Sequence, residues 1–117
     1  MNNIEYSASE INEKLASLDN VLSTSMSNNG VTYNLYKYGR IGWITTVASG
    51  TTTAATSANT VTITVPDEYK PIGRVEMVNT TNAAHRICLG TDGKLELVSA
   101  IAAGSYLRLS AAYITAS

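Results

Sequence analysis

Tyr33, Tyr36, Tyr38 and Trp43 fall within eleven positions, and the chain contains no phenylalanine. Every aromatic ring therefore carries a polar tip. Such rings stack on the apolar faces of sugars and hydrogen-bond at their edges, which is carbohydrate-recognition chemistry, although they also fill β-cores. Strand parity groups Trp43 with Ile41 and Val47 and predicts a core position for it. Tyr36 and Tyr38 alternate with Leu35, and for them a core role and a ligand-facing role both stay open. His85 and Arg86 follow the polar stretch 79–84 and place two donors at a strand entrance, while Asp92 sits in the turn Thr91-Asp92-Gly93. Tyr36, Tyr38, His85, Arg86 and Asp92 are the candidate ligand-binding residues.

Catalytic patterns are absent. There is no Gly-x-Ser-x-Gly elbow, no glycine-rich phosphate loop before a helix and no His-Glu pair at metal spacing. A carboxylate pair could do glycosidase work, and Asp67, Glu68, Glu76, Asp92 and Glu96 are available. Asp67, Glu68 and Asp92 read as turn residues, however, and Glu76 and Glu96 share strand faces with Arg74, Lys94 and Arg108, where cross-strand ion pairs account for them. With one histidine, His85, and one cysteine, Cys88, a single chain offers no zinc constellation, and Cys88 between Ile87 and Leu89 reads as a small buried thiol. No enzyme, cofactor or metal is expected. The net charge of −1 provides no basic field for nucleic acid, and no run approaches the roughly 20 apolar residues of a membrane span or resembles a signal peptide.

These residues need a scaffold, and 117 residues with only 15% charged, well under the usual ~25%, point to one small β-rich domain with an appendage. The appendage is predicted over residues 1–27. Met1, Ile4, Ala8, Ile11, Leu15, Leu18 and Leu22 step by three and four as a heptad a/d seam, with Ser25 as the last d position. Ile4, Ile11, Leu15, Leu18 and Leu22 are the expected oligomerisation residues. A lone amphipathic helix of this length is marginal in water, so the seam calls for partner copies; Leu at a with Ile at d favours trimers or tetramers over dimers. Asn29-Gly30 is read as the cap or turn that ends the helix.

From residue 31 to residue 117 the helical period disappears. Strands are expected over 31–38, 40–47, 60–65, 72–79, 85–90, 94–99 and 105–115, giving a mainly β, antiparallel sandwich or barrel head. Residues 49–59, SGTTTAATSAN, read as a mobile loop or a solvated strand. Ile44, Val98, Ile101 and Ile114 are candidates for contact between neighbouring heads.

A coiled-coil stub leading into a small Thr-rich β head, together with LYKYGRIGWIT, VPDEYKPIGRV, GTDGKLEL and the terminal AGSYLRLSAAYITAS, resembles the C-terminal tip of tail fibres and baseplate receptor-binding proteins of bacteriophages infecting Gram-positive bacteria. The resemblance implies a homotrimeric virion protein that acts outside the host cell. Its heads would dock reversibly to cell-wall saccharide without catalysis, and its N-terminal end would join other tail or baseplate proteins. The alternative is a structural trimerisation cap with no ligand. A trimeric jelly-roll cytokine-type head is disfavoured by the missing phenylalanine.

Overall fold

Asn-Gly flanked by alternating residues is the strongest short-range hairpin signal, because a type I′ turn needs positive φ at both central positions. Asn29 and Gly30 adopt φ of 52° and 80°. In the computed structural model, which describes Ser7, Ala8 and residues 21–117, this pair joins strand β1 (Leu22–Asn28) to β2 (Val31–Tyr38). A Cβ at Gly30 would collide with the carbonyl oxygen of Thr51, so the turn also sets how closely the following loop can pack.

The hairpin corrects the extent of the expected stalk. Leu22 and Ser25, read as seam positions, are strand residues paired with Lys37 and Asn34. Asn29-Gly30 is a strand-to-strand turn and not a helix cap. Ile4, Ile11, Leu15 and Leu18 lie outside the described residues.

The chain continues through β3 (Ile41–Thr46), β4 (Thr60–Thr64), a 3-10 turn over Asp67–Tyr69, β5 (Val75–Asn79), β6 (Asn82–Leu89), β7 (Lys94–Leu97) and β8 (Ser110–Ile114). Two antiparallel four-stranded sheets result, in the orders β1-β2-β3-β8 and β4-β7-β6-β5. Their inner faces meet through Val31, Tyr33, Leu35, Ile44 and Tyr113 on one side and Ile63, Met77, Ile87, Leu89, Leu95 and Leu97 on the other. The mainly β sandwich expected from the alternation is therefore present. Ile44 and Ile101, expected at a contact between heads, are instead fully buried in this core; register places Ile44 directly opposite Leu35 on the inward face.

Residues 49–59 are strapped down and not loose. Thr52 is buried, donates to the carbonyl of Ala102 at 2.8 Å and accepts from the backbone N–H of Ser105 at 3.0 Å. Thr51 and Thr56 bridge to Tyr106 and Ile101.

Of the strand expected over 105–115 only Ser110–Ile114 joins a sheet. The stretch before it is held by side chains: the Thr80 hydroxyl donates to the carbonyl of Arg108 at 3.1 Å, the Thr81 hydroxyl lies 2.9 Å from the carbonyl of Tyr106, the Leu109 N–H donates to the Thr46 hydroxyl at 3.0 Å, and Asn79 makes the most contacts. Asn79, fully buried at the end of β5, donates to the carbonyl of Tyr106 at 2.8 Å and accepts from the N–H of Arg108 at 3.0 Å. It also accepts from the Thr81 hydroxyl at 2.8 Å and the Thr81 N–H at 3.2 Å. Its amide nitrogen also lies 3.2 Å from Nδ1 of His85.

At the opposite end the phenol of Tyr113 donates to the carbonyl of Tyr69 at 2.7 Å. Its ring fits because β3 carries Gly42 there: a Cβ would stand 2.9 Å from the ring. Burial pushes this phenol up to about 12, and burial raises Tyr33 and Tyr69 in the same direction.

Two outcomes follow. Asn79→Ala leaves the Arg108 N–H without its acceptor and removes one of the two donors to the Tyr106 carbonyl, the other being the Thr81 hydroxyl, and is expected to lower unfolding free energy by about 1–3 kcal/mol in urea titrations. Between pH 10 and 12 the folded state retains the Tyr113 proton that the unfolded chain releases, so stability should fall as pH rises through that window. Tyr113→Phe should lose about 1–1.5 kcal/mol at neutral pH and show a shallower alkaline decline.

Candidate functional site

Register fixes what the outer face of the β1-β2-β3-β8 sheet presents. The two-residue Gly39-Arg40 connection pairs Tyr38 with Ile41, and counting back by two pairs Tyr36 with Trp43 and Asn34 with Thr45. Across β3 these rows continue to Ile114, Ala112 and Ser110. Across β2 they continue to Ser23 and Ser25. Three parallel rows result: Ser25, Asn34, Thr45 and Ser110; then Ser23, Tyr36, Trp43 and Ala112; then Tyr38, Ile41 and Ile114. None of these residues is charged.

The face grades from hydroxyl and amide groups through aromatic rings to aliphatic side chains. Tyr36 and Trp43 stack at 5.2 Å between centroids with their planes 21° apart, and both are half-buried. On their polar side the Ser25 hydroxyl donates to Oδ1 of Asn34 at 2.7 Å, orienting that amide. On the other side Ile41 is 50% and Ile114 52% exposed, and Ile72, whose N–H donates to the carbonyl of Ile114 at 2.9 Å, extends the aliphatic row at 63% exposure. The arrangement can offer a ring surface to an apolar ligand face and hydrogen bonds to that ligand's edge. Its rows contain no carboxylate, imidazole, thiol or amine side chain.

Trp43 is thus not the core residue that parity suggested. Its grouping with Ile41 and Val47 is correct, but that whole set points outward, since Gly42 and Ile44 take the inward positions of β3. The signal that locates Trp43 is the Gly39-Arg40 turn, which pairs it with Tyr36.

The five candidate ligand residues do not converge. Tyr36 and Tyr38 share the uncharged face. His85 lies half-buried in the Asn79 network, with Asn82 3.4 Å from Nε2. Arg86 is on the outer face of the other sheet, 3.9 Å from Glu76. Asp92 is in the β6–β7 hairpin, where Oδ1 accepts from the N–H of Lys94 at 3.1 Å.

The remaining titratable groups behave structurally. Glu76 pairs with Arg74 at 3.5 Å. Asp67 pairs with Lys70 at 2.7 Å, and that ammonium holds its carboxyl below the usual range. Arg108 stacks over Tyr106 at 4.8 Å and donates to the carbonyl of Ala48. Cys88 is buried, and burial pushes its thiol up. Among the described residues no cluster of His, Cys, Asp and Glu could hold a metal ion. No protein family and no curated protein matches the sequence.

Because Trp43 is half-buried on an outer face, Trp43→Ala is expected to cost only about 1–2 kcal/mol of stability, against ~3–5 kcal/mol for an aromatic deleted from a core. Thermal and urea unfolding of the variant measure the difference.

Proposed function

We propose that the chain is the non-enzymatic head of a homotrimeric adhesin of the phage tail-fibre or receptor-binding type, docking reversibly to host cell-surface saccharide through the outer face of the β1-β2-β3-β8 sheet. The observation that carries this reading is the solvent-facing Tyr36–Trp43 stack beside the oriented Asn34 amide. A sugar ring has an apolar C–H face and a hydroxyl edge, and the graded face offers a partner to each. Tyr38 borders the same rings. Single sites of this kind are shallow, and three copies on one particle raise weak affinity by avidity. The virion and its other tail or baseplate proteins would be met through the N-terminal segment.

The exposed row Ile41, Ile72 and Ile114 favours a second reading, a trimerisation cap whose heads touch one another. The row lies at the end of the sandwich where residue 21 enters, because Leu22 pairs with Lys37 near the Gly39-Arg40 turn. Copies joined through the heptad seam would bring these rows together.

The test combines binding and mass. Sedimentation equilibrium should give about three chain masses. Tyr36→Ala with Trp43→Ala should reduce adsorption to Gram-positive cell walls and to immobilised cell-wall oligosaccharides at least tenfold, with the β-sheet circular dichroism retained, while Arg86→Ala on the opposite sheet leaves adsorption unchanged. A trimer that adsorbs equally well with and without the two rings would favour the cap, and a monomer at micromolar concentration would remove both readings.

A further inference from the structure

Asn29-Gly30 is the only Asn-Gly step in the chain, and the fold uses the asparagine's side chain as well as its backbone. Oδ1 accepts from the N–H of Ala54 at 2.8 Å, and Nδ2 donates to the carbonyl of Ala54 at 2.8 Å. Both halves of the amide thus pair with one residue, as a neighbouring strand would. The carbonyl of Asn29 accepts in turn from the N–H of Thr53 at 3.0 Å. One turn residue therefore closes residues 49–59 onto the β1–β2 hairpin. The rest of that loop has no apolar anchor and is fixed by Thr52 and two isolated bridges, which makes it a segment able to open without the core.

We infer that Asn29 is a site of covalent modification by deamidation, gated by the Ala54 clamp. With residues 49–59 closed the amide is held unreactive, each local opening of the loop exposes it, and conversion leaves the loop unable to close as before. Glycine has no Cβ to shield its backbone nitrogen, so the Gly30 nitrogen is free to attack Cγ of Asn29. The N–Cγ bond forms, the Cγ–Nδ2 bond breaks, and ammonia departs with the proton from the Gly30 nitrogen, leaving a five-membered succinimide. Water then adds across one of the two ring C–N bonds. Cleavage at Cγ gives aspartate; cleavage at the backbone carbonyl gives isoaspartate, in which the chain runs through Cγ. Water is the only co-reactant.

The clamp opposes the first step twice. Turning Cγ toward the Gly30 nitrogen gives up both bonds to Ala54, and the nitrogen that must leave is the one donating to its carbonyl. Either product then undoes the clamp. In aspartate the atom that replaces Nδ2 is an acceptor facing the Ala54 carbonyl, another acceptor. In isoaspartate the main chain gains a methylene inside the two-residue turn that sets the register of β1 against β2, and the carbonyl that Thr53 used becomes a carboxylate outside the main chain. The turn lies at the end of β1 away from Leu22 and the Gly39-Arg40 connection, so the inference is independent of the saccharide reading.

The full chain is incubated at mildly alkaline pH, folded and in concentrated urea, and the gain of about 1 Da in the peptide that holds Asn29 is followed by mass spectrometry. The folded chain should convert at least tenfold more slowly than the unfolded one. Thr52→Val, which removes the hydroxyl that straps the loop to Ala102 and Ser105, should speed folded-state conversion at least threefold while the amides of β6 and β7 exchange with solvent as before. The purified isoaspartate form should exchange its Thr53 and Ala54 amides at least tenfold faster than the unmodified chain. Equal rates in the folded and unfolded chain, a folded-state rate that Thr52→Val leaves unchanged, or unaltered exchange at Thr53 and Ala54 after conversion would each overturn the assignment.

Discussion

A buried amide at position 79 meets the hardest demand this fold makes. A β-sandwich satisfies its backbone through ladders, and wherever a segment crosses between sheets without pairing, its N–H and C=O groups need other partners. The stretch before β8 is such a segment, and it buries Leu107 and Leu109 in the core. Asn79 supplies one donor and one acceptor to its backbone and fastens the Thr80-Thr81 turn with the rest of its capacity. A hydrophobic residue of the same size would fill the space and leave the Arg108 N–H without an acceptor. Tyr113 plays the corresponding part at the other end, where its phenol reaches the carbonyl of Tyr69.

With the core closed at both ends, the two outer faces are free to differ, and they do. One gathers serine, threonine, asparagine, tyrosine, tryptophan and isoleucine without a single charge. The other places Glu76, Arg86, Lys94 and Glu96 on adjacent strands. The low charge content of the chain is thus not spread evenly but reflects one complete face that takes none.

Much of the sheet architecture was legible in the sequence because alternation is local. β2 matches its expected span, and β3, β4 and β7 lie within theirs. What failed were assignments that depend on which side of a strand faces inward or on partners distant in sequence. Trp43 was grouped with the right residues and assigned to the wrong face, since periodicity gives the grouping and only pairing gives the sign. β1 was hidden because Leu22 continues the preceding three-four spacing, so a strand of Ser, Thr and Met was absorbed into a heptad pattern. The Asn29-Gly30 pair carried the correct information, as a hairpin turn between β-competent runs. Residues 49–59 lack apolar anchors, and their fixation by Thr52 rests on carbonyls some fifty positions away, which no local pattern exposes. The candidate site was partly visible: Tyr36 and Tyr38 are on the uncharged face, whereas His85, Arg86 and Asp92 were chosen from residue type and their place at a strand entrance or turn, which does not say which sheet or face they join, and they are elsewhere.

The direction in which β1 enters has a mechanical meaning. Residue 21 arrives beside the Gly39-Arg40 turn, at the same end where Lys37 reaches the Ser117 hydroxyl, and β1 then pairs with seven of the eight residues of β2. Tension applied through residue 21 along the strand, with the rest of the sandwich held in place, pulls the β1–β2 ladder in shear. Its hydrogen bonds share such a load together, where a pull perpendicular to the strand would open them one after another. A tether attached at this point resists detachment most strongly along the strand axis.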